Sequence, residues 1–337
     1  MQFTSFTAAQ VEEHRTSRSV WVSFRGKVYD VTEFIADHPG GADLILQFGG
    51  CNMEEIMADD GSHAHSQVAY EMLEEYCIGT LVDDNGTKAE PKDEGPVAIG
   101  FGKKSDKFID PTKPMLAQVW AGNYSKAFYV EQVHLPRQVK GSAPIFGPWY
   151  LEMFSLTPWW VIPLVYIPIT IYNVYYGVAH LGSPVETVPV FFVLGLLVWT
   201  FVEYSLHRFV FHLDEFLPDS RIALTLHFLL HGIHHFLPMD KMRLVMPPAL
   251  GLVLSIPVYH MILSLFPVGS ANVVAGGAYC GFMMYDLVHY HLHHARPFTA
   301  YLREMKTYHL DHHYKNANLG FGITNKIWDY VFNTELK

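Results

Sequence analysis

Residues 188–212 read VPVFFVLGLLVWTFVEYSLHRFVFH. The first nineteen of them, 188–206, carry a single charged side chain, Glu203, and run directly into His207 and His212. About 20 apolar residues suffice for a helix to cross the hydrocarbon core of a bilayer. The stretch therefore predicts a membrane span that ends in a pair of metal-ligand side chains.

Three more apolar stretches have similar length, at 156–176, 244–266 and 271–288. Helices buried in a soluble core would also be apolar, but the charge pattern argues against that. No Lys or Arg occurs from Ala143 to His207 or from Leu244 to Ala295. Arg137, Lys140, Arg208, Arg221, Lys241, Arg243, Arg296, Arg303 and Lys306 all fall on the other side of the spans. This positive-inside pattern predicts four spans with both termini cytosolic. Composition agrees, since 50% of the 337 residues are hydrophobic and only 17% are charged, against about 25% charged in ordinary soluble proteins. A net charge of −10 argues against nucleic acid as a partner. Three cysteines without a CxxC pair suit a reducing compartment. The N-terminal residues show no apolar signal-peptide run, so membrane entry is expected through the internal spans.

The chain has 20 histidines, and most lie in its second half. His207 and His212 follow the second span, and His231, His234 and His235 precede the third. His289 and His293 follow the fourth, and His309, His312 and His313 come shortly after. Positions i, i+3 and i+4 share a helix face. Each HxxHH triplet is thus expected to aim its three rings at one point. His207 and His212 are five apart, which requires a helix end or a distortion at 208–211. With both even-numbered spans returning to the cytosol, all four clusters emerge on one side. Ten imidazoles exceed the four ligands of one zinc site, so two metal ions are expected. Lone histidines such as His14, His134, His180 and His260 are read as structural. His227, His291 and His294 are read as neighbours of the ligands.

The N-terminal 82 residues predict a small α+β domain. β-rich runs at 20–24 and 28–31 flank a turn at Gly26–Lys27, and Thr32 is the expected cap of a helix over 33–36. The motif Asp37-His38-Pro39-Gly40-Gly41 follows, with His63 and His65 placed 25 and 27 residues beyond His38. Two imidazoles on opposite faces of a haem leave no open site, so such a centre moves electrons and does not activate oxygen. Through WVSFRGKVYDVTEFIADHPGG and HAHSQVAYEMLEEYCIGTL this region resembles cytochrome b5. The resemblance implies haem b held axially by His38 and His65, because the family's second ligand sits in a His-Ser dipeptide; His63 is the alternative.

The second half resembles the fatty acid 2-hydroxylases of the fatty acid hydroxylase superfamily. The resemblance rests on EYSLHRFVFH, HGIHHFLPMDKMRLVMPP, YDLVHYHLHH and YHLDHHYKNANLGFGITNKIWD, with DPTKPMLAQV before the first span. It implies oxygen-dependent hydroxylation of carbon 2 of a fatty acyl chain in ceramide or another sphingolipid, in the endoplasmic reticulum membrane. A tethered one-electron donor would be wasted on redox-inert zinc. Iron is therefore expected in function, although zinc can fill the same cage in a purified sample. A reductase is the expected partner of the haem domain, and O2 the co-substrate.

The expected architecture is a cytochrome b5-like α+β haem domain (1–82), a linker (83–107) and an amphipathic helical connector (108–150). An all-α membrane domain (151–337) follows, with four spans and a cytosolic helical cap holding the histidine dimetal site. Glu203, Asp286 and Asp311 are candidates to orient imidazoles, and Tyr204, Tyr285 and Tyr308 to gate the substrate head group. The alternatives are a cytochrome b5-fused acyl-lipid desaturase, a sterol oxidase, and a non-enzymatic haem- and zinc-binding membrane protein.

Overall fold

The computed structural model describes residues 4–35, 38, 42–54, 57, 67–83, 105, 107–137, 139, 141–214, 216–295 and 297–336. The chain divides into two compact units, Met1–Lys103 and Lys104–Lys337.

The first unit is built on strands β1 (Thr4–Thr7), β2 (Arg15–Thr16), β3 (Ser19–Phe24), β4 (Lys27–Asp30) and β5 (Cys77–Val82). They form one sheet in the order β1-β5-β4-β3-β2. β1 runs parallel to β5, and the other pairs are antiparallel. The β3–β4 loop is Arg25–Gly26, one residue earlier than expected, because Lys27 already pairs with Phe24. Both loop residues have positive φ, 49° and 70°, as a tight hairpin with right-handed strand twist demands. Thr32 does not cap a regular helix. Its hydroxyl accepts from the Val20 amide at 2.9 Å and donates to Asp30, and the chain makes only a 3-10 turn, Thr32–Phe34. Val20, Val22, Phe24, Tyr29, Val31 and Ile35 form the core. Phe34 stands edge-on to His38 with ring centroids 5.7 Å apart. The rest of the HPGG motif, together with His63 and His65, lies outside the described residues.

The second unit contains the long helices α1 (Val161–Ala179), α2 (Val188–Leu206), α3 (Pro248–Leu265) and α4 (Val268–His294), then α5 (Ala300–Tyr314) and α6 (Ile327–Phe332). Among the described residues, three helical segments are long and apolar enough to cross a membrane: Val161–Ala179, Val185–Phe211 and Pro248–Leu265. Their outward residues, such as Leu164, Val190 and Val253, are well exposed, as lipid-facing side chains must be. Trp149, Tyr150, Trp159 and Trp160 are exposed just ahead of α1, matching the aromatic belt of a membrane interface. The helix α4 is not among the three segments. It is 27 residues long, mostly buried, and rich in Gly, Ala and Ser where it meets its neighbours. A Cβ on Gly277 would lie 2.1 Å from the Phe192 carbonyl, so α2 and α4 touch backbone to backbone there.

The segment 108–150 is no mere connector. Its helices Met115–Ala121 and Lys126–Val133 bury Met115, Val119, Tyr129 and Val133 in one core with Leu224, Phe228, Ile233 and Phe236. That core supports the histidine-bearing stretch 227–236.

Candidate metal centre

Ten buried or nearly buried histidines form two adjoining groups. His207, His212, His231, His235 and His312 make the first, and His234, His289, His293, His309 and His313 the second. Within each group one nitrogen per ring lies within 4.8 Å of every other. These are the ten histidines that the sequence spacing singles out.

Local backbone geometry explains the convergence. Residues His207–Phe211 form a π-helical turn, and the His212 amide donates to the His207 carbonyl at 3.0 Å. A π turn places i+5 over i, which is the distortion that the five-residue spacing requires. A second π turn spans Phe228–Gly232, next to His234 and His235.

The HxxHH triplets behave differently from the expectation. Neither aims three rings at one point. His231 and His235 join the first group while His234 joins the second; His309 and His313 join the second while His312 joins the first. The reason is helical pitch. With 3.6 residues per turn, i+3 and i+4 fall on opposite sides of i and about 100° apart. Adjacent histidines therefore fork, and each triplet sends one ring across to the other group.

The nitrogen geometry suits bound cations. The His309 Nε2 lies 2.9 Å from Nε2 of His289, 2.9 Å from that of His293 and 3.1 Å from that of His313. In the first group, His212 Nε2 lies 3.1 Å from both His235 and His312 Nε2, and His207 Nε2 lies 3.2 Å from that of His231. A ring nitrogen offers either one hydrogen or one lone pair, so no arrangement of protons satisfies three such contacts at His309. Nitrogens placed 2.0–2.1 Å from a shared ion are separated by about 2.8–3.4 Å at octahedral to tetrahedral angles. Burial holds His231, His234, His235, His309, His312 and His313 well below the ordinary histidine range. Neutral rings with lone pairs facing inward are the form that binds metal.

The outer contacts were not legible in the sequence. His207 Nδ1 donates to the Phe321 carbonyl at 2.6 Å, and His312 Nδ1 to the Leu319 carbonyl at 2.7 Å. Each bond fixes the tautomer that leaves Nε2 free to ligate. Asp214 is the carboxylate among the rings. Its oxygens lie 3.2 Å from His227 Nε2, 3.6 Å from His134 Nε2 and 3.7 Å from His212 Nδ1. Burial pushes His134 down to about 4. Burial would raise the Asp214 carboxyl, but the His212 and His227 contacts outweigh it and hold it below the usual range. His134 and His227 are thus part of the site's surroundings; their spacing carries no helical signal that could have revealed it.

The candidate orienting carboxylates are engaged elsewhere. Glu203 accepts from the Ile323 and Thr324 amides and the Thr324 hydroxyl. Asp286 accepts from the Met246 amide, and Asp311 pairs with Lys315 at 2.9 Å. Tyr204 and Tyr308 bond to the C-terminal segment, at Thr334 and Leu336. Tyr285 stacks on His289, with centroids 5.9 Å apart.

A cavity of about 260 Å³ opens beside both groups, with His231, His234 and His289 in its wall. Phe154, Leu229, Leu230 and Leu250 make most of it apolar, while Arg243, Ser155 and Asp286 add polar points. Phe211, Met246 and Tyr285 also border a narrower crevice that continues between the long helices past Gly251, Val258 and Ile262.

Comparison with known proteins gives a consistent picture. Residues 7–82 match the model of the cytochrome b5-like haem/steroid-binding domain, and residues 192–334 that of the fatty acid hydroxylase family. The chain is 41% identical to the ceramide very long chain fatty acid hydroxylase SCS7 of Saccharomyces cerevisiae, over 98% of this chain and 94% of that one. It is 34% identical to the fatty acid 2-hydroxylase of Mus musculus, over 98% and 95%. The solved structure of full-length scs7p, in which only the hydroxylase domain is visible, superposes with a TM-score of 0.65 at 45% identity, covering 68% of this chain and 86% of that one.

Proposed function

The chain belongs to the fatty acid 2-hydroxylase family, with a cytochrome b5-like domain ahead of its hydroxylase domain, and from that premise we propose that it hydroxylates carbon 2 of a fatty acyl chain, that of ceramide or a related sphingolipid. The convergence of ten imidazoles beside an apolar cavity carries this assignment.

Each histidine group is proposed to hold one iron: His207, His212, His231, His235 and His312 the first, His234, His289, His293, His309 and His313 the second. With O2 and electrons passed singly from a haem b held by His38 and His65, two irons supply the redox power to break an acyl C–H bond. Zinc fits the same ligands but has no redox chemistry. The protein's own part is placement. The inward Nε2 atoms are held neutral by burial, and the Phe321 and Leu319 carbonyls fix two of the rings. The apolar cavity wall excludes water and leaves the chain end next to the carbonyl beside His231, His234 and His289.

The proposed topology has four spans, with α4 as the fourth, in the endoplasmic reticulum membrane with both termini cytosolic. An acyl chain then enters from the bilayer while its head group stays at the surface, so carbon 2 is the position within reach. The proposed domains are 1–82 for haem, 83–107 as linker, 108–150 as a helical segment, and 151–337 for hydroxylation; an external reductase feeds the haem.

Lipid mass spectrometry of cells expressing the intact chain or His312→Ala tests the proposal. The intact chain should raise 2-hydroxyacyl lipids and the variant should not. Equal levels would sink it, and a new double bond in place of the hydroxyl would point to a desaturase.

A further inference from the structure

The two histidine groups share a ligand plan but not the same surroundings. In the first group, the δ-nitrogens of His207 and His312 bond to the carbonyls of Phe321 and Leu319. The Asp214 carboxylate lies 3.7 Å from His212 Nδ1. Two δ-nitrogens of the first group, those of His212 and His235, have no hydrogen-bond partner among the described residues, against four in the second, those of His234, His293, His309 and His313. The nearby charge differs as well. The buried Lys306 side chain donates to the Ala295 carbonyl at 3.2 Å, two residues past His293. Asp214 thus adjoins the first group, while Lys306 lies at the end of the helix that carries His289 and His293.

The carbonyls that hold the first group come from one C-terminal segment, and that segment is itself clasped. Asp329 accepts from the Phe321 amide at 3.0 Å, the Gly322 amide at 2.8 Å and the Thr334 hydroxyl at 2.8 Å. Glu203 accepts from the Ile323 and Thr324 amides and from the Thr324 hydroxyl at 2.7 Å. Resting on the proposed ligation of metal by both groups, we propose that the groups hold their ions unequally. The first is the tight site, set by the C-terminal clasp, and the second is the site that exchanges. Asp329 and Glu203 are positioning residues for the first site, because both bond the segment whose carbonyls orient His207 and His312.

Removing an outer hydrogen bond from a ligating histidine typically weakens metal binding by about 10- to 100-fold. Zinc serves as a redox-silent probe. The full chain, purified in detergent and loaded with zinc, is mixed with a chromogenic chelator, and release is followed in time. Two phases of equal amplitude are expected, the slower at least about tenfold slower. His313→Ala should remove the fast phase and leave the slow one. Asp329→Ala should speed the slow phase by about tenfold or more and leave the fast phase alone. Thr324→Val, which deletes one hydroxyl contact to Glu203, should act in the same direction with less risk to folding. A single phase in the unmodified chain would overturn the inference, and so would loss of the slow phase in His313→Ala. Absence of bound zinc would overturn both this inference and the proposed ligation. Two phases in a chain that makes no 2-hydroxyacyl lipid would support the inference while removing the proposed activity.

Discussion

The His212 amide donates to the carbonyl of His207 at 3.0 Å, so two histidines five residues apart stand on one face of the chain. The relationship couples a local π turn to the first histidine group, since His207 ends the apolar helix α2 and His212 begins the next loop. His207→Ala and His212→Ala should each lower the metal content of the purified chain below two equivalents. Each should also lose at least as much product as an outer-contact change, about 10- to 100-fold. Elemental analysis and lipid mass spectrometry check the two effects; full metal content in both variants would remove these residues from the site.

Arg243 and Glu152 form a buried ion pair at 2.7 Å, and Glu152 also accepts from the Phe146 and Gly147 amides. Breaking a buried pair from one side costs about 3–5 kcal/mol, and less here because the buried Asp240 carboxylate stays 3.7 Å from Arg243 Nε. Arg243 also lines the cavity. Glu152→Ala should therefore lower the thermal midpoint in detergent and reduce activity together. An unchanged midpoint would mean that Asp240 alone compensates Arg243.

Gly277 lies where α4 crosses α2, with the Gly195 Cα 3.0 Å from the position a Cβ would take. Gly277→Ala should force the helices apart and cost about 1–3 kcal/mol, as overpacking does in other cores. Gly182, with open space around its Cβ position but a φ of +71°, gives a control of another kind. Alanine there should act only through backbone strain. Thermal unfolding of the two variants compares them, and a larger loss at Gly182 would contradict the close crossing.

His38→Ala should abolish the visible haem spectrum of the purified chain and stop product formation in cells, while the metal content of the hydroxylase unit stays unchanged. His65→Ala should do the same if it is the second axial ligand, and His63→Ala should not. A full haem spectrum in His38→Ala would remove it as a ligand.

Three of the four expected spans, the cytochrome b5-like domain and the clustering of ten histidines were legible in the sequence because each depends on local properties. Apolar length decides whether a segment can cross a bilayer, and the i, i+4 and i+5 steps decide which rings share a face. Even the need for a distortion at 208–211 could be read from the five-residue step. The division of labour within each HxxHH triplet was not legible. His234 and His235 are neighbours in sequence, but which group each joins depends on helices brought together by packing. The same holds for Asp214 beside His212, and for the Phe321 carbonyl, 114 residues from the ring it holds. Backbone carbonyls have no side-chain signature, and their role exists only once the C-terminal segment has closed over the helix ends. Local periodicity thus singled out the ten histidines, while long-range packing sorted them into two groups with different surroundings.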